Sequence, residues 1–130
     1  MRLSARADDI KLLGYVADEH LPALYGGAAA FVLPSLYEGF GMGAIEAMAC
    51  ACPVVVSCAA SLPEVVDDAA IIVDPRSVQD IRAGLLEAVE PVASLRLSTR
   101  GLQRAAEFTW ERAARETLRT IRLAHAETSR

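Results

Sequence analysis

Short apolar runs alternate with stretches whose hydrophobic positions recur every three or four residues, and the alternation lasts for a little more than half of the chain. Ile10–Leu13 is an apolar run that predicts a strand, broken by Gly14. Asp18 stands ahead of Leu21, Leu24 and Tyr25, which share a helical face. It is placed to cap that helix, with Pro22 in the tolerant first turn. Ala30–Leu33 predicts a buried strand stopped by Pro34. Ser35–Gly41 reads as a loop and Met42–Cys50 as a helix. Pro53–Ser57 carries the β-branched triplet Val54-Val55-Val56 and predicts the next strand. Ser61–Val66 predicts a short helix, and Ala70–Val73 a strand closed by Asp74-Pro75. Beyond Pro75 only helical patterns follow. Ser77 caps one that runs to about Glu90, Pro91 opens a second to about Glu107, and Thr109 caps a third through about Ala126. Strands alternating with helices predict an α/β fold, a parallel sheet covered on both faces, followed by C-terminal helices.

Composition narrows this picture. A length of 130 residues suits one domain, and the 53% hydrophobic share is rich in Ala, so the core is expected to rest on close helix–sheet contacts. The net charge of -4 argues against nucleic acid as a partner, since such partners call for a basic surface. The arginines between Arg96 and Arg130 are interleaved with Glu and Ala, the pattern of a solvated helix face. No apolar run is long enough to span a membrane, and Met1–Ile10 lacks the apolar stretch of a signal peptide. Together with three cysteines, Cys50, Cys52 and Cys58, this predicts a cytoplasmic protein with reduced thiols. Cys50-Ala51-Cys52 has no His or further ligand close by in sequence and reads as small buried residues rather than half of a metal site.

The segment richest in chemistry runs from Pro34 to Glu46, from the end of a strand through a glycine-bearing turn into a helix. Ligands of open α/β sheets bind outside the carboxyl ends of strands. Gly39 and Gly41 let a ligand approach the main chain, and the helix start that follows offers unpaired N–H groups suited to phosphate. Glu38 precedes this helix and Glu46 lies in its second turn. Side chains lean back toward a helix N-terminus, so both carboxylates are expected to line one pocket and to accept hydrogen bonds from sugar hydroxyls. Three other readings stand beside this one. Gly39, Gly41 and Ala44 fit a dinucleotide fingerprint, but Pro34 ends the strand too early and Glu38 would oppose a pyrophosphate. Two carboxylates also suit a glycosidase, though nothing else in the chain builds a sugar cleft. On spacing alone, a plain turn flanked by surface glutamates fits as well.

Glu38-Gly39-Phe40-Gly41 with Glu46 resembles the E-x7-E motif of the family-4, or group 1, glycosyltransferases of the GT-B fold. Leu13-Gly14-Tyr15-Val16, Leu24-Tyr25, Val32-Leu33-Pro34-Ser35, Pro53-Val54-Val55, Leu62-Pro63-Glu64-Val65 and Arg104-Ala105-Ala106 ahead of Phe108 and Trp110 resemble the family's other words, in order along nearly the whole chain. The resemblance implies a Rossmann-like, donor-binding C-terminal domain that retains anomeric configuration without a metal or other cofactor. It implies that Glu46 binds the ribose hydroxyls of a UDP-, GDP- or ADP-sugar. Glu38 would be the catalytic-site carboxylate that holds the transferred sugar. Backbone N–H groups around Gly39, Phe40, Gly41 and Met42 would meet sugar or diphosphate, the turn Gly14-Tyr15-Val16 would lie near the base, and the loop before Leu62 would flank the donor.

The chain departs from the family pattern in places. Proline is usual where Gly43 stands, which predicts a looser helix start, since Gly costs about 1 kcal/mol against Ala. Ala51 replaces a usual glycine and is strained if that position needs positive φ; Ala29 replaces a frequent Asp. The resemblance further implies that residues 1–130 are part of a C-terminal domain, without the acceptor-binding N-terminal domain, the first strands, or the basic residues that grip the diphosphate. Lys11, the only lysine, does not match that site, and Arg2 and Arg6 read as the tail of a preceding helix. Three outcomes follow: a half-enzyme completed by a separate chain and inactive by itself, a non-catalytic nucleotide-sugar-binding module, or an inactive truncated relic that self-associates through an exposed sheet edge. Attachment at the inner face of a membrane would come from the absent part.

Overall fold

The computed structural model describes residues 7–128, so Arg2, Arg6 and Arg130 lie outside the described residues. Three parallel strands form the sheet in chain order: β1 (Phe31–Leu33), β2 (Val54–Ser57) and β3 (Ile71–Val73). Phe31 pairs with Val54 and Val55 with Ile71. The central strand β2 is buried at every position, as a strand covered on both faces must be. Alternate side chains divide between two cores. Val54 and Val56 pack with Met48, Leu62 and Val66 on one face. Val55 packs with Val73, Ala88 and Leu97 on the other.

The helices are α1 (Leu21–Gly27), α2 (Met42–Ala49), α3 (Leu62–Val66), α4 (Val78–Ala88), α5 (Pro91–Ala105) and α6 (Trp110–Thr128). Ser77 caps α4 by accepting from the Asp80 N–H, and Thr109 accepts from the Arg112 N–H at the start of α6. The close helix–sheet contacts expected of an alanine-rich core are present, and two glycines add close approaches of their own. Gly84 sets α4 directly on the sheet, where an added Cβ would stand 2.7 Å from Val73 and 3.3 Å from Val55. Gly101 does the same for α5 against Met48.

Two expectations fail. Ile10–Leu13 forms no strand, because no neighbouring strand offers it a ladder; Leu12 is 95% exposed. An apolar run is a strand only when something pairs with it. Asp18 does not cap α1. It opens a separate 3-10 turn, Asp18–His20, that leads into the helix, and His20 takes the cap position without a side-chain bond. Pro22 does sit in the first turn of α1.

The end of α2 explains the Ala51 departure. The Cys52 N–H bonds to the Ala47 carbonyl at 3.0 Å and the Ala51 N–H to the Met48 carbonyl at 3.0 Å, the two bonds of a Schellman closure. That closure needs a left-handed residue, and Ala51 sits there with φ 58°. Left-handed backbone costs a Cβ-bearing residue roughly 1–2 kcal/mol, partly offset by the extra unfolded-state freedom of glycine. Ala51→Gly is therefore expected to stabilise the protein by about 0.5–1 kcal/mol, seen as a higher denaturant midpoint at unchanged slope. A lower midpoint would show that the strain lies elsewhere.

The late arginines mostly pair with acids on exposed faces, as Arg96 does with Glu87 and Arg100 with Asp68. Arg104 also pairs with Glu107, at 2.8 Å, and does more. Its side chain is only 21% exposed and donates to the backbone carbonyls of Glu64 and Val65 at 2.8 and 2.9 Å, closing the C-terminal end of α3. Among the described residues no helix is long and apolar enough to cross a membrane.

Candidate functional site

β1 and β2 end side by side, and the chain leaving β1 makes the loop 34–41 before α2 begins. Gly41 ends this loop in the left-handed conformation, φ 90° and ψ 45°, and no side chain caps α2. A Cβ on Gly41 would run into the Leu62 side chain, so both backbone and space demand glycine. The Ala44 N–H bonds the Gly41 carbonyl at 3.0 Å, and no side chain caps the Met42 and Gly43 N–H groups ahead of it, beside the carboxyl ends of the strands. Gly43, in the first turn, has its own use. An added Cβ would lie 3.2 Å from the Phe31 ring and 3.6 Å from the Tyr25 hydroxyl, so the missing side chain lets the edge-to-face pair Tyr25–Phe31 pack against α2.

Glu46, one turn further on, points into a cleft of about 380 Å³ between α1 and α2, lined also by Asp18, Leu21, Pro22, Tyr25, Ala49 and Cys50. The Tyr25 hydroxyl donates to its carboxylate at 3.2 Å. Glu38 does not line this cleft. Its carboxylate accepts from the Ser35 hydroxyl at 2.8 Å, and its backbone carbonyl accepts from the Ser61 hydroxyl at 3.3 Å. The expectation of one pocket shared by both carboxylates is thus corrected: α2 turns Glu46 toward α1, whereas the loop holds Glu38 toward the start of α3. The Ser61 hydroxyl ties the loop before Leu62 to the Glu38 backbone.

The remaining predicted residues distribute as follows. Gly14 is left-handed, φ 65°, and Tyr15 is 90% exposed; Gly14, Tyr15 and Val16 all lie outside the cleft lining. Gly39 is open on all sides of its missing Cβ, and Met42 is exposed at the start of α2. The Phe40 side chain meets Phe108 edge-on at 5.7 Å, and Arg104 lies over the Phe108 ring at 4.9 Å. Lys11 is exposed on the unpaired segment before Gly14. Among the described residues no three His, Cys, Asp or Glu side chains gather closely enough to hold a metal ion. Cys52 is buried and burial pushes its thiol up, an inert setting, while Cys58 is exposed.

Sequence reasoning placed Ser35 and the loop before Leu62 in this region and Tyr25 among the family's words, but it gave no sign of the bonds of Tyr25, Ser35 and Ser61 to the two glutamates, and it missed Ser57. Ser57 did carry a signal, as the one polar residue directly continuing an all-valine strand.

Burial, more than anything else, holds the Tyr25 hydroxyl above its ordinary 10.0, and the hydrogen bond to Glu46 and that carboxylate's charge act in the same direction. The folded protein keeps this proton longer than the unfolded chain. Its contribution to stability is full below pH 10.0 and is lost as pH rises through the higher folded value. Glu46→Gln removes the charge but not the burial, so the Tyr25 transition is expected to move only part of the way back. The phenolate absorbance of the protein minus that of Tyr25→Phe reads it; an unmoved transition would mean that the two side chains do not meet in solution.

Residues 4–99 match the family described as glycosyl transferases group 1. Over 115 residues the chain is 46% identical to the O-antigen chain mannosyltransferase B of Escherichia coli, covering 88% of this chain and 30% of that protein. It is 41% identical over 108 residues to the MMP alpha-(1->4)-mannosyltransferase of Mycolicibacterium hassiacum, covering 79% of this chain and 26% of that one. Sucrose-phosphate synthase from Thermosynechococcus elongatus superposes with a TM-score of 0.80 at 29% identity, over 93% of this chain and 31% of that one. The chain thus spans less than a third of each of these proteins.

Proposed function

The chain belongs to the group 1 glycosyl transferases and has the α/β fold of a GT-B C-terminal domain, and from that premise we infer that it binds a nucleotide-diphosphate sugar for transfer with retained anomeric configuration. The observation that carries this reading is the Glu46 carboxylate, turned into an open cleft and steadied by Tyr25. A carboxylate accepts from two vicinal hydroxyls at once, which suits a ribose. The uncapped start of α2, reached from the glycine turn, suits the diphosphate whose negative charge grows as the glycosidic bond breaks. Preorganised N–H donors do this without a metal. Glu38, on the neighbouring loop, holds the transferred sugar and stabilises positive charge at its reacting carbon. Backbone around Gly39, Phe40, Gly41 and Met42 supplies the donors, and Gly14, Tyr15 and Val16 approach the base.

The sugar we assign is mannose, because two of the relatives are named for mannosyl transfer. The acceptor is bound by an N-terminal domain in the same or a separate chain. The test is a calorimetric titration of the protein with GDP, UDP and ADP, then with GDP-mannose. Saturable binding of one nucleotide supports the reading and names the base. A cooperatively melting protein that binds none of them overturns it. Binding without transfer in the presence of the N-terminal domain would make the chain a donor-binding module.

A further inference from the structure

Ser57 is the only polar residue among the fully buried positions described, at the carboxyl end of a strand otherwise made of valine. β1 stops pairing at Leu33, opposite Val56, and Pro34 follows. The carbonyl of Ser35 therefore leaves the ladder while still close to the interior, and it needs a donor. The Ser57 hydroxyl supplies one at 2.6 Å. From there the Ser35 hydroxyl donates to the Glu38 carboxylate at 2.8 Å, and the Ser61 hydroxyl, from the start of α3, donates to the Glu38 carbonyl at 3.3 Å. Two hydroxyls, from Ser35 and Ser61, thus meet on Glu38, and a third, from Ser57, holds the Ser35 backbone behind them.

We propose that Ser57 and Ser35 form a positioning relay that aims Glu38: the buried hydroxyl at the end of β2 fixes the Ser35 backbone, and the Ser35 side chain fixes the carboxylate. The inference rests on the reading of Glu38 as the group that holds the transferred sugar. The relay explains a serine where valine would pack better. The first hydroxyl lies too deep to meet a ligand, so its use is the placement of a group that does. Glu46 hangs on a different element and bonds Tyr25, so loosening the relay leaves nucleotide contacts in place.

The test compares GDP with GDP-mannose, and in parallel UDP with UDP-glucose and ADP with ADP-glucose, on the parent, Ser57→Ala, Ser35→Ala, Ser35→Thr and Glu38→Ala. Ser57→Ala and Ser35→Ala are expected to lower the ratio of nucleotide-sugar to nucleotide affinity about ten-fold, toward that of Glu38→Ala, since small misplacements of a positioned group cost up to about 10²-fold. Nucleotide affinity itself stays within about two-fold, which a merely structural role would not achieve. Ser35→Thr keeps the hydroxyl and restores the ratio. Amide exchange is expected to quicken over residues 35–38 in Ser57→Ala while residues 39–42 and β2 keep the parent's protection. A Glu38→Ala ratio equal to the parent's overturns the role of Glu38 and the relay with it. A parent-like ratio, or parent-like loop exchange, in Ser57→Ala with Glu38→Ala impaired overturns the relay alone.

Discussion

Glu46→Ala is expected to weaken binding of the donor nucleotide by about 10²–10⁴-fold, from the loss of two charge-assisted hydrogen bonds worth roughly 1.5–3 kcal/mol each. The side chain is half-buried on the rim of the cleft, and its side-chain partner among the described residues, Tyr25, can turn to water. The fold is therefore expected to survive, with a melting temperature within a few degrees of the parent. Glu46→Gln keeps one good acceptor and should lose only about ten-fold, roughly one such bond weakened by the absence of charge. Calorimetry with the nucleotide that binds the parent reads both. Equal affinity in parent and Glu46→Ala, with both folded, would remove Glu46 from the donor site and leave the cleft unassigned.

Gly84→Leu is expected to give the largest loss of stability, about 3 kcal/mol or more, because overpacking a closely fitted core commonly costs 1–3 kcal/mol and here the neighbours are three strand side chains at once. Val73, Ile71 and Val55 lie between 2.7 and 3.3 Å from an added Cβ, before the rest of the side chain is placed. The helix cannot rise off the sheet without opening the core that Ala88 and Leu97 close. At roughly 3–6 °C per kcal/mol for a chain of this size, the melting point should fall by about 10 °C or more. Gly84→Ala is a milder probe, since better helix propensity returns about 1 kcal/mol against the contact. Ala83→Leu, exposed on the same helix, should change little. A Gly84→Leu protein melting with the parent would mean that α4 sits farther from the sheet than described.

Both predictions draw on features that differ in how far the sequence revealed them. The strands at residues 31, 54 and 71 were legible because each is a short apolar run held between turn residues, and β2 adds three consecutive β-branched side chains. The helices after Pro75 were legible through caps and proline positions. Residues 10–13 misled because hydrophobicity reports a wish for burial, while a strand also needs a partner to its ladder. Asp18 misled because two overlapping helix starts compete for one chain, and the tighter 3-10 turn came first. At the site, the glycine turn and Glu46 were visible as a local motif. The bonds that orient the two glutamates were not, since Tyr25 reaches Glu46 and Ser57 reaches Ser35 across more than twenty residues. Local spacing carries no record of such pairings. Ala51 lay between these cases: resemblance flagged the position, and only the backbone angle showed that an alanine there is held left-handed.

The strand order has a consequence for how the molecule comes into being. Each strand adds to the outer edge of the one before it, and none inserts between two earlier strands. Phe31 meets Val54, and Val55 meets Ile71, across connections that carry one helix each or little more. A chain emerging from the ribosome can therefore lay down its sheet in the order of synthesis, without waiting for a distant segment. The late ties are the reach of Arg104 back to the carbonyls of α3 and of Phe108 back to Phe40, so the sheet waits for α5 and the turn after it to clear the exit tunnel before it is closed from that side.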